Sequence, residues 1–520
     1  MRHQSGAKVR IFLMIIFTVA LTAAMLAGCN GSNSKVNNEY PHNIILMIAD
    51  GASFGAWEAA NIYEYNNPTG AIFFQPDYHK YLMTTYPLNT SSSPTGDQQP
   101  QVGYDPEKAW GLESYNTPDV YLHQNATDSA ASATAISTGI KTYNRAINWT
   151  NYPEGTGSPA PVTIAELAKE TGKAVGTITS VMWSHATPAA LSNARNISRR
   201  NLSVIANDML DGQTLDLIMG AGHPQWNDDG QQVIPDDRLS EEITDSNAQF
   251  VGGRETWIAL KEGTHSGQWM LMETHAELLA IAQGDMEIDD NSPPLLVTVQ
   301  ANRTLQQRRA GYHPQETPFS TVQTPDLPTL NTMTQAALNY LSVKGSDSGF
   351  FLHIEGGAVD WAAHANQTSR LVEEQLDFLD SVETVVEWIG HNGGWDNNLL
   401  IITTDHGNAM PMGSNSDTIA HASMTISDIM DGQYIEGENE KGVRWWSDHH
   451  TNELVPLFAR GIGAEFLEDY ITGTDSNFIT YYPAWAESGF TGDYIDNTSV
   501  FELMKQRLSD SKIHSTQTPP

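Results

Sequence analysis

The sequence predicts an α/β fold: a doubly wound, mostly parallel central sheet flanked by helices, in a single large domain with loop insertions. Three observations carry this. Short, wholly apolar runs alternate along the chain with segments of helical periodicity. Acidic residues or histidines stand just past the ends of four of these runs, where ligands bind in open α/β sheets. Behind an N-terminal export segment, about 480 residues remain, enough for one large core.

The apolar runs lie at residues 43–49, 174–182, 350–354, 399–403 and 454–459. Each is too short for a helix and is followed by a polar turn, as buried parallel strands are. Helical periodicity marks residues 163–171, with Ile164, Leu167 and Ala168 on one face, and residues 330–341. Residues 371–389 place Val372, Leu376, Leu379, Val382 and Val386 on one stripe. Residues 222–263, rich in Asp, Asn, Gln and Gly with weak periodicity, read as surface loop. No internal repeat or low-complexity block is visible.

Residues 1–28 read as a signal peptide rather than as part of the fold. Arg2, Lys8 and Arg10 precede an apolar stretch that ends Leu26-Ala27-Gly28-Cys29. This ending resembles a lipoprotein signal, with lipid attached to Cys29, the only cysteine of the chain. An uncleaved membrane anchor is the alternative. Residues 29–40 form a polar tether, 41–508 the folded domain and 509–520 a flexible tail. The expected location is the periplasm or cell surface, with membrane attachment through Cys29. Asn30 after the cysteine favours the outer membrane, again by resemblance to lipoproteins.

Lys and Arg total 27 against 62 Asp and Glu, a net charge of −35. Such a balance excludes a nucleic-acid-binding surface. It also means that a site for an anionic substrate must create its own positive potential, and divalent cations do this.

Six segments carry the chemistry. Asp50-Gly51 ends the first strand, where a carboxylate can bridge two cations or merely begin a turn. In Asp128-Ser129, followed by a run of small residues, Asp128 suits an N-cap. Ser129 then lies in the first helical turn, where free N–H groups favour an alkoxide and a phosphate. A serine needs activation to attack, and no histidine adjoins it, so a metal is the expected activator. His185-Ala186-Thr187-Pro188 follows the second strand. Glu355 ends the third, and Asp360 and His364 stand four residues apart, one helical face with zinc-ligand chemistry or a simple surface pair. Asp405-His406-Gly407 ends the fourth strand. In Asp448-His449-His450-Thr451 either imidazole can be a ligand by spacing. Trp183, Trp445 and Trp446 adjoin these segments and read as core or rim packing rather than as the mouth of a site.

Together these motifs, in this order, resemble the alkaline phosphatase family over residues 43–451, with linking segments such as Thr138-Gly139-Ile140-Lys141-Thr142-Tyr143-Asn144. The resemblance implies a homodimer with two zinc ions and one magnesium ion per subunit. It implies Asp360, His364 and His450 as ligands of the first zinc, and Asp50, Asp405 and His406 as ligands of the second. Asp50, Thr187 and Glu355 are implied for magnesium. His450 is preferred to His449 because the family motif has His followed by Thr. The implied reaction is hydrolysis of small phosphate monoesters by double displacement, with a phosphoserine at Ser129. A family arginine, held by Asp128, clamps the phosphate. Its spacing from His185 falls on Ser198, and a one-residue insertion brings it to Arg199, with Arg195 and Arg200 as alternatives.

Near the magnesium position some bacterial members have Asp and Lys; here His185 and Trp361 stand there, as in marine bacterial members. Neither supplies a fixed charge, so the third metal is expected to be held more weakly and phosphate to leave more easily. A phosphodiesterase of the same superfamily is the nearest alternative. A phosphate-binding lipoprotein without turnover is the non-enzyme one.

Overall fold

A computed structural model describes residues 40–94, 103–110, 120–150, 160–416 and 423–508. The signal peptide, Cys29, residues 29–39 of the tether and the tail lie outside them. Eleven strands build one sheet: β1 (Asn43–Ile48), β2 (His79–Thr84), β3 (Ala174–Met182), β4 (Leu217–Ala221), β5 (Met270–Met272), β6 (Leu295–Thr298), β7 (Phe350–Glu355), β8 (Asn398–Thr403), β9 (Val455–Gly461), β10 (Gly473–Thr474) and β11 (Asp493–Asp496). Their spatial order is β10-β11-β2-β9-β8-β1-β7-β3-β4-β6-β5. From β8 to β5 every pairing is parallel. The chain order reverses around β1, which pairs with β8 on one side and β7 on the other. That is the kind of switch point at which doubly wound sheets bind ligands.

All six residues of β1 are buried. Ile45 and Met47 pack into one apolar layer, and Ile44, Leu46 and Ile48 into the other. Two-sided burial explains why the strand reads as an unbroken apolar run. The other runs fold as expected, and the helices Ile164–Glu170, Leu330–Lys344 and Thr368–His391 cover the periodic segments. Thr163 starts the first of these with a capping box to Glu166.

Two expectations are corrected. The run at 454–459 forms β9, but it is antiparallel to both β8 and β2. The chain leaves β8 at Asp405 and returns through His450 at the same sheet edge, so the next strand must run away from that edge. Residues 222–263 are also not plain surface loop: they include the helix Arg254–Lys261, whose Trp257 and Leu260 are buried. Their three-residue spacing is masked by the polar residues around it.

The helix Thr368–His391 carries an acid in its buried face. Glu374 is buried, and its Oε1 has no hydrogen-bond partner among the described residues. Burial, with Asp377 and Glu373 adding repulsion, pushes its carboxyl up to about 8. Between the usual carboxylate range and that value the unfolded chain has lost the proton and the folded chain keeps it. Stability therefore falls as pH rises through this window, and the loss is complete above it. Glu374→Gln should melt several degrees above the wild type at about pH 9, with the gap closing towards pH 5. Melting curves that shift equally at both ends would show that Glu374 is not the titrating group.

Candidate active site and metal centre

The parallel strands deliver their terminal side chains to one edge. Ile48 of β1 stands opposite Glu355 of β7 and Thr403 of β8, so Asp50 and Asp405 emerge side by side, next to Glu355. The Gly51 and His406 amides both donate to Asp405 Oδ1, at 3.1 and 3.0 Å. Gly51 has φ +65°, and a Cβ there would lie 2.6 Å from Asp360 Oδ1. Glycine is required for this turn and for the close approach. Thr179 of β3, opposite Glu355, donates its hydroxyl to that carboxylate.

Ser129 opens the helix Ser129–Thr138, capped by Asp128, which accepts from the Ala131 amide at 3.1 Å. The buried Ser129 Oγ lies 3.1 Å from His406 Nε2 and 3.5 Å from Asp50 Oδ1. Three imidazoles meet here in one orientation. Nδ1 of His450 donates to the Thr127 carbonyl at 2.8 Å, Nδ1 of His364 to the Asp448 carbonyl at 2.7 Å and Nδ1 of His406 to the Gly407 carbonyl at 3.2 Å. A carbonyl only accepts, so the proton sits on Nδ1 and Nε2 faces the cluster, as metal-ligating histidines are commonly held. Nε2 of His364 and Nε2 of His450 are 2.9 Å apart, and Asp360 lies 3.3 Å from His450 and 3.6 Å from His364.

Donor atoms of Asp360, His406 and His450 converge within 4.8 Å, as do those of Asp50, Asp405 and His406, and those of Asp50, His185 and Glu355. Oδ2 of Asp50, Oδ2 of Asp405, Oε1 of Glu355 and Oγ1 of Thr187 are buried without hydrogen-bond partners among the described residues. So many lone pairs facing one another out of water are costly unless a cation sits among them. The donor set, nitrogen and carboxylate oxygen at two clusters and mainly oxygen at the third, fits divalent metals.

The electrostatics agree. Burial, then Asp405, Asp360 and Glu355, raise Asp50 well above the carboxylate range. Burial lifts Asp405 to about 6 and Glu355 to about 7. Burial also opposes ionisation of Asp360, yet His364 and His450 hold it well below its usual value. His450 is pushed down by burial and up more strongly by Asp360. Burial keeps His406 neutral, with its Nε2 lone pair free. The site thus favours positive charge between its carboxylates.

Of the three candidate arginines, Arg199 is the one that meets Asp128 and His185. Its Nη1 is 3.1 Å from Asp128 Oδ2, and its Nη2 donates to His185 Nε2 at 3.0 Å. Burial and the Arg199 charge depress His185 to about 3, so this imidazole is a neutral acceptor. Arg195 instead pairs with Glu166 at 2.6 Å. Ser129, Arg199, His185, Trp361, His364 and His450 line a cleft of about 830 Å³.

Residues 41–435 match the family model for alkaline phosphatase. The chain belongs to the alkaline phosphatase family. It is 26% identical to alkaline phosphatase 3 of Bacillus subtilis over 406 residues, covering 76% of this chain and 68% of that one. Against the alkaline phosphatase of Escherichia coli K12 the identity is 28% over 364 residues, 64% of this chain and 69% of the other. In fold it is similar to the alkaline phosphatase of the Antarctic bacterium TAB5, with TM-score 0.55 and 21% identity, over 90% of this chain and 98% of that one. A His-to-Asp mutant of the TAB5 enzyme has been solved with Mg bound in its M3 site. Membership makes this chain a metal-dependent phosphomonoesterase.

For this phosphatase the motifs read from sequence converge on one place. His450 joins the cluster, whereas the neighbouring His449 side chain is 67% exposed. Trp361 lies against His185 with ring centroids 5.7 Å apart. Trp183, Trp445 and Trp446 are buried core, as expected. Sequence reasoning missed Thr179, and also Asn408, whose Nδ2 donates to Asp360 Oδ1 at 2.7 Å. It also missed Arg145, Gln307, Arg308 and Arg309, which reach the cleft from segments without a motif.

Proposed function

We propose that this phosphatase works by double displacement through a phosphoserine at Ser129, with two zinc ions and one magnesium ion per subunit. Asp360, His364 and His450 hold the first zinc, and Asp50, Asp405 and His406 the second. Asp50, Thr187 and Glu355 hold magnesium, with the neutral His185 beside them, its Nε2 accepting from Arg199. The observation that supports this best is the position of Ser129 Oγ, 3.1 Å from His406 Nε2 at a helix N-terminus. Bound cations supply the activation of the hydroxyl and the neutralisation of charge on phosphate and leaving oxygen.

The protein's own groups do the rest. Arg199, oriented by Asp128 and His185, binds two phosphate oxygens with its planar guanidinium. The helix N-terminus favours the dianion. The Ser129 hydroxyl gives up its proton to solvent and its oxygen attacks phosphorus as the bond to the ester oxygen breaks; that oxygen takes up a proton from solvent and leaves as the alcohol. Water then attacks the phosphoserine, the Ser129 oxygen takes back a proton, and inorganic phosphate departs. The same proposal includes export, lipid attachment at Cys29 and a homodimer. Residues 1–29 support the first two, and the family resemblance supports the third.

The test is steady-state hydrolysis of a chromogenic phosphomonoester and its matched diester at alkaline pH, with a chelator and zinc add-back. Monoester turnover should exceed diester turnover, vanish with the chelator and return with zinc. A diester preference would move the chain to the sister enzymes and remove the role given to Arg199.

A further inference from the structure

Arg145 has φ +76°, in the left-handed region that a long side chain rarely adopts. Its amide donates to Asp128 Oδ1 at 2.8 Å, and its carbonyl accepts from the Arg199 amide at 2.7 Å. The strained residue therefore joins the cap of the Ser129 helix to the phosphate clamp. Glycine would fill this backbone role at lower cost. What arginine adds is its side chain, which lines the cleft. There, among the described residues, Nη1 reaches only the Ser92 hydroxyl, at 3.4 Å. No carboxylate lies within 4 Å of Arg145 or of its cleft neighbour Arg200 among the described residues.

The other cleft arginines are engaged. Arg199 pairs with Asp128, Arg308 with Asp228 at 3.0 Å while standing 5.8 Å from the centre of the Trp361 ring, and Arg309 with Glu373 at 2.6 Å. In a chain with more than twice as many acidic as basic residues, two guanidinium groups without a counter-charge in one cleft are informative. The cleft is also far larger than a phosphate group.

We propose that Arg145 and Arg200 form a second anion subsite, so that the preferred substrates are phosphate monoesters whose leaving group carries another anionic group. This rests on the phosphomonoesterase reading. Guanidinium groups take a carboxylate or a phosphate equally well, in the fork geometry that also suits Arg199. The overall negative charge of the protein would otherwise disfavour a more anionic substrate.

Two esters with matched leaving groups separate the cases: 4-(carboxymethyl)phenyl phosphate and its neutral amide, 4-(carbamoylmethyl)phenyl phosphate. At low ionic strength the wild type should favour the carboxylate in kcat/KM by roughly tenfold, and added salt should shrink the ratio. Arg145→Gly, which suits the backbone at that position, should bring the ratio to one or below, and Arg145→Lys should retain part of it. Arg200→Ala should also lower it. Because the ratio is taken within each variant, a loss common to both esters cancels. A wild-type ratio of one or less, or a ratio unchanged by Arg145→Gly, overturns the subsite. Failure of the wild type to hydrolyse either ester would strike the phosphomonoesterase reading itself.

Discussion

Ser129→Ala should lower kcat by a factor on the order of 10⁴ or more while leaving the metal content unchanged. The two halves of this expectation have different origins. Among the described residues Ser129 Oγ has polar contacts only with His406 Nε2 and Asp50 Oδ1, and neither depends on it for position. Asp50 is fixed by the end of β1, and His406 by its Nδ1 bond to Gly407. The helix keeps its start as well, because Asp128 caps it through the Ala131 amide whatever stands at position 129. Alanine is also a good helix former. What disappears is the hydroxyl proposed as the nucleophile at the helix N-terminus. Elemental analysis would follow the metals, and acid quench with intact-mass measurement would follow the phosphorylated chain. The wild type should show a phosphorylated fraction and the variant none. Full activity in the variant, or a phosphorylated chain without Ser129, would move the nucleophile elsewhere.

The parts of the site that are legible in the sequence are those set by strand ends. An apolar run that stops at an Asp or a Glu reports both a buried parallel strand and a side chain at its carboxyl edge. Asp50, Glu355 and Asp405 are visible for that reason. Asp360 and His364 are visible because helical spacing is fixed. Direction is not visible in β9, since an apolar run reads the same whether its neighbours are parallel or antiparallel. The returning loop decides it, and that loop bends back through His450. The choice between His449 and His450, and among Arg195, Arg199 and Arg200, depends on which way a loop residue faces. Adjacent residues differ there by contacts made far away in the chain: Thr127 for His450, Asp128 for Arg199 and Glu166 for Arg195. Arg145 carries no signal at all, because a positive φ leaves no mark in the sequence unless glycine or asparagine occupies it.

Asp50→Asn should remove metal from two positions at once and reverse sign between the metal-free and metal-loaded protein. Asp50 belongs to two of the three ligand clusters, one with Asp405 and His406 and one with His185 and Glu355. Its Oδ1 is 3.4 Å from His406 Nε2, and its Oδ2 is buried without a partner among the described residues. The amide keeps the shape but removes the charge and can offer only one acceptor oxygen. Loss of a buried counter-charge costs about 3–5 kcal/mol, or on the order of 10²–10⁴ in a binding or rate constant. Metal content should fall by more than one ion per subunit, and kcat/KM should fall with it. Without metal the effect is opposite. Burial and the crowding of Asp405, Asp360 and Glu355 raise Asp50, so its ionisation opposes folding above the usual carboxylate range, and this cost is lost as pH falls. At alkaline pH the chelated variant should therefore melt above the chelated wild type, while the zinc-loaded variant melts below the zinc-loaded wild type. Thermal melts in chelator and in excess zinc, with metal analysis of the same samples, would read both arms. An Asp50→Asn variant with the wild-type metal content would remove Asp50 from the ligand set. A chelated variant less stable than the chelated wild type would mean that the carboxylates tolerate one another without a cation, and the electrostatic case for the metal centre would fail.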